Sequence, residues 1–334
     1  MSPTTPPQDD LHATALWCQT AGQYALLPAK ITPTDGAAVM NALASAISRG
    51  TERLVLTGNV PKSEADRMTC PHQEGQFPFP VKYGYALVGR IVAGPSHLVG
   101  RMGFALHPHQ TRVALDPGAI VPIPEAIPPE RATLAANMET ALNVVWDSGA
   151  SLGDDVLVVG AGVVGLLITR LLARMPGVRV TATDVDPNKA RIVGALGARF
   201  CPPDAVGEGY DVAINASASD RGLALAIEAA GLEARIVEAS WHGARDATVP
   251  LGGAFHSQRL TIVSSQVGRL PATRAPRWTH RRRMEAALGL LDDTALDALI
   301  THRVPFLSAP SDLPPLMDGH GPLAIILTYD DAAG

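Results

Sequence analysis

Apolar residues in the first third of the chain come in short runs cut by glycine and proline, at 54–56, 86–88, 90–93 and 111–114. Runs of three to six residues bounded by turn formers predict β-strands, here of a compact barrel-like domain from Ala13 to about Pro124. A proline-punctuated connection at 122–129 follows. Residues 130–146 then place Ala132, Ala135, Ala136, Leu142 and Val145 at helical spacing. Beyond that helix the texture changes. A fully apolar run at 156–159 leads through glycines into a helical stretch at 163–174, then a strand at 178–183 and a helix at 187–196. Further strands are predicted at 211–215, 235–238 and 260–263, and a helix at 281–291. Strands alternating with helices predict a parallel sheet covered on both faces. A last apolar run at 323–327 closes the series, as a strand returning to the first domain.

The length of 334 residues suits two domains. We place the first at 13–136, with 301–331 returning to it, and the second at 137–300. With 46% hydrophobic and 18% charged residues the composition is globular. A net charge of −5 gives no general attraction to nucleic acid or to anionic lipid. The basic run at 280–283 breaks that pattern; at the head of a helix it reads as a solvated face before it reads as a phosphate patch. Cys18, Cys70 and Cys201 show no CxxC spacing, which fits free thiols in a reducing compartment. Residues 1–12 read as a frayed, Pro-rich leader without the features of a signal peptide. No apolar stretch is long enough to span a bilayer. The expectation is a soluble, cytoplasmic protein acting on a small molecule, with neither nucleic acid nor membrane as a partner.

The chemistry is concentrated in Gly160-Ala161-Gly162-Val163-Val164-Gly165. A GxGxxG string alone is common. This one follows an apolar strand, opens a helix, and precedes an acidic residue at the end of the next strand, which is the context of a dinucleotide fingerprint. Gly160 allows the tight turn, Gly162 lets a pyrophosphate approach, and Gly165 lets helix and strand pack closely. Val163 and Val164 open the helix whose N-terminus faces the phosphates. Asp184 stands 19 residues beyond Gly165, where a carboxylate accepts from ribose hydroxyls and repels a 2′-phosphate, so the expected cofactor is NAD. Lys189 and Arg191 are close enough to temper that preference. The fold expected is α/β, a Rossmann doubly wound parallel sheet beside a β-barrel domain.

Together with the text around Ser48-Arg49-Gly50-Thr51-Glu52, Tyr83-Gly84-Tyr85-Ala86 and Glu139-Thr140-Ala141-Leu142, this order resembles the medium-chain dehydrogenase/reductase superfamily, the zinc-alcohol-dehydrogenase-like group, over nearly the whole chain. The Ser-Arg-Gly-Thr-Glu form is similar, more loosely, to bacteriochlorophyllide hydroxyethyl dehydrogenases. The resemblance implies a GroES-like catalytic barrel completed by the C-terminal strand, hydride transfer between a nicotinamide and a secondary alcohol or ketone, and a homodimer. Its chlorophyllide-type branch implies a bulky, ring-bearing substrate.

The departures are at the zinc. The first cysteine ligand is replaced by Ser48 or Arg49, the histidine by Tyr85 and its acidic neighbour by Ala86; no cysteine lies near 136–138, although Glu139 is close. The structural-zinc lobe is missing at 100–111. This donor set does not suit zinc, which takes thiolate, imidazole and carboxylate, so the expectation is a zinc-independent enzyme. Another group must then polarise the carbonyl or take the alcohol proton. Tyr85 is the leading candidate, against a core tyrosine tied to backbone. Thr51 is a candidate proton relay and Glu52 a residue that orients it, with Lys82 and Tyr83 weaker. His107 and His109 point to one face of an extended segment, as a substrate-facing imidazole or as hydrogen-bonded loop residues. His242 follows the 235–239 strand at the carboxyl edge of the sheet, where it would contact cofactor or substrate. Two alternatives stay open: a reductase of activated C=C bonds, and an NAD(H)-binding sensor without turnover.

Overall fold

The computed structural model describes residues 11–243, 245–318 and 321–330; residues 1–10 of the predicted leader lie outside them. The chain divides into two compact units. One holds Met1–Ala136, Leu288–Asp292 and Ile300–Gly334; the other holds Asn137–Ala287 and Asp293–Leu299. The segment Leu288–Asp292, left in the second domain on sequence grounds, therefore clusters with the first unit.

The first unit opens with a long antiparallel hairpin of β1 (Leu11–Thr20) and β2 (Gln23–Ile31). Next come β3 (Ala38–Ile47), helix α1 (Arg49–Leu56), β4 (Leu87–Ala93), β5 (Met102–Ala105) and β6 (Arg112–Leu115). The expected strand at 54–56 is the end of α1. A three-residue apolar run carries no period of its own, and Glu52, Val55 and Leu56 turn one helical face inward. Leu87 and Val88 join 89–93 in one strand, β4.

The predicted helix at 130–146 is divided at Thr133. Pro129–Ala132 forms one turn, and α2 (Ala135–Ser148) carries the chain into the second unit. There β7 (Asp155–Val159), α3 (Val163–Ala173), β8 (Arg179–Thr183), β9 (Arg199–Phe200), β10 (Tyr210–Asn215), α4 (Asp220–Ala229), β11 (Ala230–Glu238) and β12 (Thr261–Ser264) follow in order. The six strands are all parallel, in the order β9-β8-β7-β10-β11-β12. The order reverses between β7 and β10, so the carboxyl ends of those two strands flank the crevice where this architecture binds its ligands. Leu157, Ala213 and Ile236 are fully buried, as strands covered on both faces require. Helix α5 (His280–Leu290) ends the unit's main run.

The chain then returns to the first unit as β13 (Ile300–Pro305) and, after Ala309–Asp318, β14 (Ala324–Thr328). Strand β14 lies between β13 and β3, with Ile325 opposite Ile47, inside a seven-stranded sheet. Ile325, Ile326 and Leu327 are fully buried. The last apolar run thus completes the N-terminal domain, and the chain holds a Rossmann sheet and a β domain as expected. Among the described residues no helix is long and apolar enough to cross a membrane.

Candidate functional site

In the second unit, β7 runs into Gly160, whose φ of +100° suits only a residue without a side chain. A Cβ at Gly165 would lie 1.9 Å from the Gly160 carbonyl oxygen, so α3 packs on the loop only because position 165 is bare. Gly162 is the opposite case: nothing lies within 4 Å of where its Cβ would be, and the backbone there is open to a ligand. Val163 and Val164 begin α3, where first-turn N–H groups have no intrahelical acceptor. These donors and the positive end of the helix are suited to an anion such as a pyrophosphate.

Asp184 leaves the end of β8 and clamps this loop. One carboxylate oxygen accepts from the Ala161 N–H at 2.7 Å and the other from the Asp186 N–H at 2.9 Å. Each oxygen keeps a lone pair for a further donor. Val185 beside it is 88% exposed, an apolar shelf next to the carboxylate. Lys189 stands half-buried in the 3-10 turn Pro187–Lys189.

Sequence reading missed the polar cluster at the carboxyl ends of β10 and β11. Asn215, fully buried, donates to Glu238 at 2.7 Å and accepts from the Ser217 hydroxyl at 2.7 Å. The Ser240 N–H donates to Glu238 at 2.8 Å, and the Ser240 hydroxyl accepts from the Ala218 N–H at 2.9 Å. The available signal was a polar residue closing each apolar strand: Thr183, Asn215, Glu238. His242 follows, with its Nε2 3.5 Å from Glu238 and its Nδ1 3.7 Å from Asp220 at the head of α4.

In the first unit, Tyr85 is packed edge-on to Tyr83 and donates to the Ser48 hydroxyl at 2.5 Å, with Thr51 also bonded to it. Burial pushes the Tyr85 hydroxyl up to about 12, the bonds to Ser48 and Thr51 pulling the other way. The group is therefore a hydrogen-bond donor at neutral pH. Tyr83 is a core residue that donates to the Met68 carbonyl at 3.0 Å.

Glu52 does not orient Thr51. It turns inward, 3% exposed, and accepts from the Ser48 N–H at 2.7 Å and from His109 Nε2 at 3.1 Å. Nδ1 of His109 bonds the Ser45 hydroxyl at 2.8 Å, and Ser45 bonds the Tyr329 hydroxyl at 2.8 Å. Burying a carboxylate is tolerable only with such partners, and they hold the Ser48–Glu52 turn from beneath. Its members come from three distant parts of the chain, around 45–52, 109 and 329, and nothing in sequence links them. His107 is equally structural: it bonds the Pro108 carbonyl at 2.8 Å and stacks on His72, and burial lowers its imidazole to about 3. The two histidines therefore face the interior and not a substrate. Lys82 is buried too, ion-paired with Glu74 and donating to Gln110 at 2.9 Å.

Two readings of charged residues change. Arg283, expected on a solvated face, is 2% exposed and donates to Glu139 at 3.0 Å and to Asn143 and the Val267 carbonyl at 2.5 Å. Glu139 is thereby committed; burial raises its carboxyl against the pull of Arg283. Arg282 does lie outside, over the Trp278 ring at 4.1 Å. The residues that the resemblance sets at zinc-ligand positions in the first unit are Ser48, Arg49 and Tyr85, and in the second unit Glu139 is held by an arginine. These do not fit zinc, and among the described residues no group of three or more His, Cys, Asp or Glu is placed to hold a metal.

No family model matches the chain. It is 33% identical over 85 residues to L-threonine 3-dehydrogenase from Rhizobium rhizogenes strain K84, a match covering 25% of this chain and 24% of that protein. Solved structures match along nearly the whole length. A protein described as a short chain alcohol dehydrogenase, from E. coli CFT073 and complexed with NADH, is 17% identical with a TM-score of 0.76, covering 95% of this chain and 99% of that one. A putative zinc-binding dehydrogenase from Sinorhizobium meliloti 1021, bound to NADP, gives the same identity, coverage and TM-score.

Proposed function

We propose that this chain, which has the fold of the zinc-alcohol-dehydrogenase-like medium-chain dehydrogenases, is a zinc-independent NAD(H)-dependent oxidoreductase interconverting a secondary alcohol and a ketone. The observation that carries the reading is the open glycine loop clamped by Asp184. The loop N–H groups and the start of α3 would hold the pyrophosphate, and Asp184 the adenosine ribose, for which its remaining lone pairs are suited. Val185 offers apolar surface beside that ribose. A bound nicotinamide supplies the hydride acceptor or donor.

The protein's own residues must then manage the oxygen and its proton. Tyr85, with a proton it keeps at neutral pH, would turn its single O–H from the Ser48 hydroxyl to the developing oxygen charge. Ser48 and Thr51 position its hydroxyl. The Glu52–His109 pair fixes the turn that carries them. Ser48, Arg49 and Tyr85 are poor zinc donors, and among the described residues no group of three or more His, Cys, Asp or Glu is placed to hold a metal, which supports zinc independence. The strand β12, paired on one side only, suits a homodimer joined at that edge. Three buried free cysteines support a reducing, cytoplasmic setting.

The test uses purified protein. NADH binding, followed by its fluorescence, should be at least about ten-fold tighter than NADPH binding, and Asp184→Ser should narrow that gap, since a 2′-phosphate no longer meets a carboxylate. Turnover of a panel of alcohols and ketones, ring-bearing ones included, should survive chelation. Stoichiometric zinc with chelator-sensitive turnover contradicts the mechanism. Tyr85→Phe should lower kcat about 100-fold while leaving NADH affinity unchanged. NADH that binds and is never oxidised by any carbonyl would favour the sensor.

A further inference from the structure

His109 shows what a structural histidine looks like in this molecule: both ring nitrogens are paired, at 2.8 and 3.1 Å. His242 is built differently. Its Nδ1 and Nε2 are both shielded from solvent, and neither has a hydrogen-bond partner among the described residues. Nor has the Asp220 Oδ1 that faces it. The carboxylates of Asp220 and Glu238 stand on either side of the ring at 3.7 and 3.5 Å, too far for direct hydrogen bonds. Finished structures rarely leave three buried polar atoms unpaired in one place. Here they do so at the carboxyl ends of β10 and β11, beside the point where the strand order reverses.

The cage has two charge states. With a neutral imidazole it presents two carboxylates and a net charge of −2; with an imidazolium, −1. Histidine is the side chain whose ordinary titration falls between pH 5 and 8. An oxidised nicotinamide ring is positively charged and a reduced one is neutral, while the rest of the cofactor is identical in both. We propose that His242 gains or loses its proton in step with the charge of the nicotinamide, so that pH sets the chain's relative affinity for oxidised and reduced cofactor. The proposal rests on the nicotinamide reading above. Binding of the oxidised cofactor would release the imidazolium proton to bulk water, leaving the two carboxylates of the cage to balance the positive charge; no electrons move. The reduced cofactor leaves the proton in place. By linkage the effect is reciprocal, so raising pH strengthens binding of the oxidised form relative to the reduced.

Charged residues near the cage in sequence are Arg221, next to Asp220 on α4, and Arg245 and Asp246. Arg245 and Asp246 lie on the same loop, and Arg245 donates to the Ala218 carbonyl at 2.9 Å. Asn215, Ser217 and Ser240, which bond Glu238 or one another at these strand ends, are uncharged. All of them are kept in the variants below, so their contribution cancels.

The experiment measures Kd for NAD+ and for NADH by titration calorimetry from pH 6 to pH 8. Their ratio removes pH effects common to both forms. In the wild type, Kd(NADH)/Kd(NAD+) should rise by about five-fold across that range, the size of one unit charge acting through a partly solvated cage. Adding NAD+ to weakly buffered protein near neutral pH should release protons, and NADH should release none. In His242→Gln the ratio should be flat. Asp220→Asn, which keeps the ring, should narrow the rise and favour NADH at every pH. A wild-type ratio independent of pH, or a rise unchanged in both variants, overturns the proposal and leaves the cofactor reading intact. Failure of the wild type to bind either form overturns the cofactor reading and this one with it.

Discussion

At the scale of single residues, His107 carries a pH dependence whose sign follows from its surroundings. Burial holds its imidazole at about 3, while in the unfolded chain it titrates near the ordinary 6.5. Between those values the unfolded state binds the extra proton, so stability rises with pH in that window. The neutral ring's contribution is intact above about pH 6.5, declines as pH falls, and is lost by about pH 3. At pH 4.5 the loss is on the order of 2–3 kcal/mol from this group. Urea unfolding at pH 7 and pH 4.5 checks it: His107→Gln should lose less stability between the two than the wild type. Equal losses would mean that the ring is not held neutral. His107 was legible in sequence as a polar oddity but not as a buried one, because His72, on which it stacks, lies 35 residues earlier.

At the scale of elements, the fingerprint turn is the most demanding piece of the molecule. Gly165→Ala would set a methyl 1.9 Å from the Gly160 carbonyl oxygen, a backbone atom that cannot step aside. The variant should lose about 3 kcal/mol or more, and its NADH binding should fall with the loop geometry. Thermal unfolding and fluorescence titration read the two effects; an unperturbed variant would show that α3 tolerates a shifted seat. This turn was readable because strand, glycines, helix and acid lie within one contiguous stretch from Val156 to Asp184. The elements sequence reading missed lack that property. Strand β3 reads Ala-Val-Met-Asn-Ala-Leu-Ala-Ser-Ala-Ile, and alanine is a poor strand former, so the central strand of the seven-stranded sheet gave no pattern. The run at 54–56 was too short to show that it closes a helix. The Glu52–His109–Ser45–Tyr329 network and the His242 cage are assembled from distant segments, and only the folded chain brings them together.

For the whole molecule, the decisive fact is that the first unit is not continuous in sequence. Strand β14 is an interior member of its sheet, paired with β13 on one side and β3 on the other. A chain cut after Leu299 lacks both, leaving one edge of β3 open and Ile47, Val55 and Leu16 without Ile325, Leu327 and Phe306 to pack against. Such a fragment should keep the second unit and lose the first. Limited proteolysis should therefore leave a protected core from about Asn137 to Leu299 and digest the rest. Equal protection of both regions would mean that the barrel closes without its last strand.

The same interior strand fixes an order of events on the ribosome. Domains ordinarily fold as they emerge, the N-terminal one first. Here the leading residues must wait, because the partner of β3 is made some 280 residues after it. The Rossmann unit, complete once Leu299 has emerged, takes shape while β3 still lacks its partner β14. During that interval the β3 edge is exposed to other chains. This protein should depend on early chaperone shelter for its first half, in a way that its finished form does not betray.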